Sequence, residues 1–310
     1  MKQILDRLRP WWLPCMAVVG TAGTLALLLL RALLASQLRD PDTGRFGANI
    51  PAIAVGVTLL VVLAVMACLA EKPRRDIRSA AAMSLALALL LCGVLVTAFS
   101  LWDTVCWLLY AEPPAPASLL MTGLPTAFTV LMLACGLLGG VALIAYGLRI
   151  LQAGGTHAGM QQYSILLPVL WVWLRLARYL MSYASAIDLS NGCFTFAMLI
   201  FELLFLFKLA RHAAGVGSVR PGSLLFCAAG AGVFALSAPL WRLWMLLQGD
   251  TAAYLSEEMA SVPDAAIGLL ALVFCWTLAY GFSAPASGAE ISGEDFPASS
   301  MSPDGSGSQE

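Results

Sequence analysis

Apolar residues occur in long runs along this chain, and short polar or proline-containing segments separate the runs. Most runs approach about 20 residues, the length at which an α-helix crosses the hydrocarbon core of a bilayer. The fold predicted from this pattern is an all-α, polytopic integral membrane helix bundle with eight transmembrane helices. The runs place these helices at 11–34, 50–70, 79–100, 125–148, 163–187, 193–209, 222–247 and 263–282.

The remaining segments divide the chain into parts. Residues 1–10 form a short N-terminal segment, and residues 149–162 form a loop between two four-helix halves, 11–148 and 163–283. The first apolar run is too long for a signal peptide, so we expect a retained helix. Residues 284–310 are rich in Ser, Gly, Pro and acidic residues, which predicts a disordered acidic tail because little apolar surface is available for burial.

The segment Leu101–Tyr110 remains apolar but contains Asp103 and two tryptophans. Two interpretations stay open for it: an outer end of the third helix, or a separate helix lying in the membrane interface.

Composition agrees with a membrane class. Hydrophobic residues make up 60% of the chain and charged residues only 11%, whereas soluble domains are about one quarter charged. The net charge is −1, and no basic patch suggests nucleic acid. The lipid bilayer is the partner that this composition predicts, and protein partners stay unknown.

Basic residues alternate between loops, and this alternation predicts the orientation of the bundle. Lys and Arg accumulate in cytoplasmic loops, and here they favour the N-terminus and the second, fourth and sixth loops. The other loops are mainly acidic, although Arg39 and Arg45 break the trend. We therefore expect both termini to be cytoplasmic, in a chain integral to the plasma (inner) membrane. The basic residues on the predicted cytoplasmic side are Lys2, Arg7, Arg9, Lys72, Arg74, Arg75, Arg78, Arg149, Lys208, Arg211 and Arg220.

The two four-helix halves can be aligned with each other. Leu13-Pro14 then matches Leu167-Pro168, and Leu124-Pro125 matches Val262-Pro263. Four helices per unit restore the starting orientation, so such a duplication would be a pair of parallel repeats. The alternative is a chance alignment of two apolar strings.

Four charged residues lie inside the apolar runs and mark the candidate site: Arg175, Arg178, Glu202 and Arg242. A charge within the bilayer costs several kcal/mol or more, so such residues usually face the protein interior and pair with one another. Arg175 and Arg178 share a helix face, and the depths of Arg178 and Glu202 match when counted from their shared outer loop. We therefore expect Glu202 to lie within salt-bridge reach of Arg175 or Arg178.

Two functions from different classes are compatible with this charge cluster. Three arginines against one glutamate leave an excess of positive charge, which suits binding or transport of a small anionic or polar solute in the outer half of the membrane. The alternative is a non-catalytic scaffold or a subunit of a membrane complex, in which a buried Arg–Glu pair fixes helix packing.

No motif indicates catalysis, a metal or a cofactor, so the enzyme interpretation is the least favoured. The eight cysteines show no CxxC spacing. Cys106 and Cys193 both lie at outer helix ends, and we weigh a disulfide between them against two separate thiols, with the thiols favoured because disulfide geometry is strict.

Overall fold

The chain is described by a computed structural model that covers residues 12–38, 50–69, 79–110, 119–153, 164–182, 189–214, 221–247 and 262–283. At several helix ends, and for residues 238–246, only the backbone path is described. The predicted N-terminal segment, the acidic tail and nearly all of the loops lie outside these residues.

Eight α-helices make up the described part of the chain, which has no β-strand. In chain order they are α1 (Trp12–Leu38), α2 (Ile50–Leu69), α3 (Ser79–Tyr110), α4 (Leu119–Ala153), α5 (Leu166–Ser182), α6 (Leu189–Ala213), α7 (Pro221–Leu247) and α8 (Val262–Ser283).

Six of these helices are long and apolar enough to cross a membrane: α1, α2, α3, α4, α6 and α8. The described α5 has 17 residues, and in α7 the apolar segment Gly222–Ser237 is likewise shorter than a full span. The helical membrane class is therefore supported.

Helix α3 runs without interruption to Tyr110. Of the two interpretations of the segment Leu101–Tyr110, the extension of the third helix is therefore the correct one. Helix α4 also begins earlier than expected, at Leu119 instead of residue 125. Pro125 falls in the second turn of this helix, where it removes one backbone N–H donor without ending the helix.

Prolines mark the beginnings of several helices. Pro51, Pro221 and Pro263 are the first or second residues of α2, α7 and α8, and Pro168 lies in the first turn of α5. The first turn is where a missing backbone N–H costs least, because that group has no partner within the helix.

Helices α3 to α8 form a closed ring. Each packs against the next along the chain, and α8 returns to pack against α3. Helices α1 and α2 lie outside this ring, where α1 contacts α7 and α8, and α2 contacts α1 and α7. Side chains from α5, α6 and α8 can therefore meet inside the ring although α5 and α8 are not neighbours along it.

The outer surface of the bundle is apolar. On α3 the exposed residues repeat at helical spacing, which produces one continuous stripe along the helix. Its members are Met83, Leu87, Leu91, Val94, Leu101, Val105 and Leu108. Water-exposed apolar patches of this extent are rare on soluble monomers, whereas lipid solvates such a surface without cost.

Candidate functional site

Arg175 of α5 forms a two-pronged salt bridge with Asp264 of α8. Its Nη1 atom bonds Oδ1, and its Nη2 atom donates a 2.8 Å hydrogen bond to Oδ2. The planar guanidinium matches the two oxygens of a carboxylate, which makes this the strongest form of the Arg–Asp interaction. The pair joins two helices that lie on different sides of the ring.

Asp264 is completely buried, and the start of α8 explains how it is held. It is the third residue of the helix, directly after Pro263. Backbone N–H groups at a helix N-terminus favour a negative charge in the first turn. The helix end and Arg175 therefore both place positive charge next to this carboxylate.

Glu202 of α6 is the second carboxylate next to Arg175. Its side chain has 0% exposure, and its Oε2 atom lies 3.8 Å from Arg175 Nη1. Side chains tilt toward the N-terminus of their own helix. On the antiparallel neighbours α5 and α6 the side chains therefore tilt in opposite directions along the bundle axis, which lets Arg175 and Glu202 approach each other. The contact predicted between Glu202 and the arginines of α5 is thus confirmed for Arg175.

At this distance Arg175 and Glu202 form an ion pair without a hydrogen bond. Neither carboxylate oxygen of Glu202 has a hydrogen-bond partner among the described residues. A buried polar group without a partner is costly, and the cost is larger for a charge. Of the three charged residues Arg175, Glu202 and Asp264, Glu202 therefore has the fewest compensating contacts.

Trp171 completes the surroundings of Arg175, one turn earlier on α5. The Cζ atom of Arg175 lies 4.8 Å from the centre of the indole ring, a distance at which a cation is attracted by the ring face. The indole nitrogen of Trp171 and the hydroxyl of the buried Ser100 both lie against Gly136, where a Cβ atom would collide with them. Polar atoms from α3 and α5 thus converge beside the cluster.

Asp103 and Arg178 lie at the same end of the bundle but are exposed. Electrostatic interactions link Asp103 to Arg175, Arg178 and Asp264. Arg178 is three residues beyond Arg175, about 4.5 Å further along the helix. Arg175 is level with Asp264, which lies in the first turn of α8. Arg178 therefore lies closer to this end of the bundle than Arg175 does. The side chain of Arg175 retains 16% exposure.

The four residues predicted from the sequence thus have different surroundings. Arg175 and Glu202 meet inside the ring, and Arg178 is exposed. Arg242 belongs to α7, in the part whose side chains lie outside the described residues. Their role in ligand binding stays a prediction.

Asp264 is the functional candidate that the sequence pattern missed. It follows a segment that also contains Glu257 and Glu258, so the sequence pattern groups it with acidic loop residues. The available signal was its position directly after Pro263, where α8 begins, which places the carboxylate on the helix itself.

A second buried arginine lies outside the ring. Arg31 of α1 is 4% exposed, and its Cζ atom lies 4.4 Å from the ring centre of Phe194 on α6. Phe194 in turn packs against Phe234 of α7. This cation–π contact attaches α1 to the ring, and the sequence pattern did not identify Arg31 as a site residue.

Cysteine and candidate metal-binding side chains are spread over several of the described helices. No group of three or more His, Cys, Asp or Glu side chains is placed there to hold a metal ion. Cys193 is a free thiol, which favours separate thiols over a disulfide with Cys106, whose side chain lies outside the described residues.

No protein-family model, no curated protein and no solved structure matches this chain. The functional interpretation therefore rests on the geometry of the cluster formed by Arg175, Glu202 and Asp264, which we call the Arg175 cluster.

Proposed function

We propose that this chain is a membrane protein that binds and moves a small polar solute through the Arg175 cluster. One observation carries the proposal: Glu202 is fully buried, its oxygens have no hydrogen-bond partner among the described residues, and its nearest arginine is bonded to a different carboxylate. A purely structural ion pair would be expected to satisfy both partners.

The charge balance of the cluster favours a cationic solute over an anionic one. The sequence alone sets three arginines against one glutamate, which predicts an anion. Within the described side chains the cluster instead holds one guanidinium against two buried carboxyl groups, which leaves one negative charge without compensation whenever both carboxyl groups are ionised. A solute that carries an ammonium group would supply it, whereas an anion would need Arg178 or Arg242 as additional partners.

The scaffold interpretation remains the second candidate, and the Arg175–Asp264 pair favours it. Two hydrogen bonds between helices on different sides of a ring are well suited to fixing helix positions. On this interpretation Glu202 would have no role in ligand binding, and no solute would contact it.

Solute-dependent thermal unfolding of the purified protein separates the two functions. The panel contains primary amines, amino acids, carboxylates and sugars, tested on the wild type, Glu202→Gln and Lys208→Met. Lys208 lies further along α6 and bonds Ser223, so Lys208→Met is the control. At a concentration about 100-fold above its Kd, a bound solute stabilises the folded state by about 2.7 kcal/mol.

We expect an amine-containing solute to raise the unfolding temperature of the wild type and of Lys208→Met, and to lose this effect in Glu202→Gln. If no member of the panel distinguishes Glu202→Gln from the wild type, the scaffold interpretation is favoured.

The proposal includes eight membrane spans in a plasma membrane, with both termini cytoplasmic. The six long apolar helices support most of these spans. For α5 and α7, the support is their place in the same ring as four of the long helices. The alternation of basic loops supports the orientation.

The tandem duplication also remains part of the proposal. Its support is that α1–α2 and α3–α4 are packed pairs, as are α5–α6 and α7–α8, and that α4 packs on α5 while α8 packs on α1. An exact repeat would also give α5 a contact with α3 equivalent to that of α1 with α7. That pair is not among the closely packed pairs of described helices.

A further inference from the structure

Glu202 is the titratable group with the fewest compensating contacts in the Arg175 cluster. It has 0% exposure, and its oxygens have no hydrogen-bond donor among the described residues. Within the described part of the chain the nearest cation is Arg175, at 3.8 Å, and both terminal nitrogens of Arg175 are bonded to Asp264. An ionised carboxylate in this position would lack both water and a donor, which is a costly state in a low-dielectric interior.

The helices packed around Glu202 contribute few other charges. Helix α5 supplies Arg175 and the exposed Arg178, and α8 supplies Asp264. Helix α3 supplies the exposed Asp103, whose charge interacts with Arg175 and Asp264, and the buried thiol of Cys92, which lies close enough to interact with the charge of Glu202. Helix α2 contains no charged residue, and neither does the part of α7 whose side chains are described before residue 238. Two carboxylates therefore share one guanidinium.

A proton fits this environment better than a metal cation. Hard metal ions require about six oxygen ligands, and the described residues contain no group of three metal-binding side chains. A proton requires only one carboxylate oxygen. When two acidic groups lie this close, their protonation is coupled, and one proton can neutralise the charge that Arg175 leaves uncompensated.

We propose that Glu202 is a proton-binding site and that Arg175 changes its carboxylate partner when the proton leaves. A proton from water adds to a Glu202 oxygen and converts the carboxylate to a carboxylic acid. The present arrangement, with both Arg175 prongs on Asp264, is that of the protonated state. Release of the proton to water restores the carboxylate, which draws Nη1 of Arg175 across the 3.8 Å gap.

The exchange gives the bundle two discrete arrangements. In one, α5 is bonded to α8, and in the other Arg175 is shared between α8 and α6. A ligand that prefers one arrangement shifts the population toward it. The proton site stands on the geometry of the cluster, whereas its coupling to solute movement rests on the proposed function.

Infrared difference spectroscopy of the full-length protein in lipid tests the proton site directly. The C=O stretch of a carboxylic acid without a hydrogen bond is separated from the bands of solvated carboxyl groups. We expect one such band to appear and disappear reversibly with pH in the wild type. It should be absent in Glu202→Gln and retained in the control Asp103→Asn, which neutralises an exposed carboxylate on α3.

Isotope labelling of the wild type makes the result independent of how the variants fold. Protein grown with carboxyl-¹³C glutamate should show the band at lower frequency, and protein grown with labelled aspartate should not. A band that follows the aspartate label, a band that persists in folded Glu202→Gln, or no such band at any pH at which the wild type stays folded would overturn the proton site.

This outcome is separate from that of the solute panel. A Glu202 band without any solute-dependent stabilisation leaves the proton site in place and refutes the proposed function. Solute-dependent stabilisation without a Glu202 band refutes the proton site alone.

Discussion

Arg175 holds the candidate site together at the level of single residues. It bonds Asp264 with two nitrogens, lies 3.8 Å from Glu202 and stacks on Trp171. The long aliphatic part of its side chain allows one residue of α5 to reach two other helices. The stability of the cluster should therefore depend on pairs of residues more than on any residue alone.

A double-mutant cycle on Arg175 and Asp264 should reveal strong coupling. Arg175→Met leaves two buried carboxylates without their cation, and Asp264→Leu leaves the guanidinium with Glu202 alone. Arg175→Met should cost about 3–5 kcal/mol, and Asp264→Leu should cost less because Glu202 can still pair with the guanidinium. The double variant should be more stable than the sum of the two predicts, by about 0.5–3 kcal/mol. Unfolding titrations in mixed micelles measure these values.

The control cycle pairs Asp264→Leu with Lys208→Met, whose ammonium bonds Ser223. Its two effects should add within about 0.5 kcal/mol. Equal coupling in the two cycles would mean that Arg175 and Asp264 do not interact in the folded protein.

Asp264→Asn should be less harmful when Glu202 is present, because Arg175 can then turn to Glu202. In the Glu202→Gln background the guanidinium has no carboxylate left within the buried cluster, so the same substitution should cost more, by about 1–3 kcal/mol. The comparison requires the unfolding free energies of the four proteins. An equal cost in both backgrounds would argue against any exchange of partners.

At the level of helices, close backbone contact between α3 and α4 sets one side of the ring. A Cβ atom at Gly93 would lie 2.8 Å from the carbonyl oxygen of Gly140, and one at Gly140 would lie 2.9 Å from the carbonyl oxygen of Gly93. Small residues let helix backbones approach in membranes, where packing contributes much of the association energy. This approach also brings Ser100 of α3 toward Trp171 of α5, since both lie against Gly136 of α4.

Gly93→Ala and Gly140→Ala should each destabilise the protein by about 1–3 kcal/mol, because the added methyl group collides with backbone atoms. Gly56→Ala is the matched control, since its methyl group would meet Phe234 at 3.5 Å, an ordinary contact. Thermal unfolding in detergent checks the ranking. A Gly56→Ala protein as unstable as Gly140→Ala would contradict this account of the close contact between α3 and α4.

Much of the helix arrangement along the chain could be predicted from the sequence. Runs of apolar residues located all eight helices, because the period and length of such runs reflect burial in lipid or protein. The predicted limits differ from the observed ones where a helix continues past a polar residue, as α3 does past Asp103. Which helices become neighbours could not be predicted, since their apolar faces are chemically alike.

At the level of the whole molecule, this uncertainty about neighbours explains the partial success at the site. Arg175 and Glu202 lie on consecutive helices, so their contact followed from the depth of each in the membrane. The partner with the best geometry, Asp264, lies on α8, and only closure of the ring brings α8 opposite α5. Acidic residues are common in the first turn of a helix. The sequence alone therefore does not distinguish Asp264 from an ordinary residue at a helix N-terminus.

Reporter fusions after Leu148 and after Phe282 test the topology of the whole chain. Eight spans with both ends inside place both fusion points in the cytoplasm, as the alternation of basic loops requires. A non-cytoplasmic signal at either position would exclude eight spans in this orientation. A fusion within the loop between α7 and α8 should report the opposite side and serves as the control.

The most direct test of the central claim removes the entire Arg175 cluster. In the triple variant Arg175→Met, Glu202→Leu and Asp264→Leu, no buried charge is left alone, and replacing a buried ionic network with apolar residues is often neutral or stabilising by about 1–4 kcal/mol. We predict that the triple variant unfolds at or above the wild-type temperature while every solute that stabilises the wild type loses its effect. A triple variant that is less stable than the wild type, or that still responds to the same solutes, would contradict the claim that the cluster exists for binding.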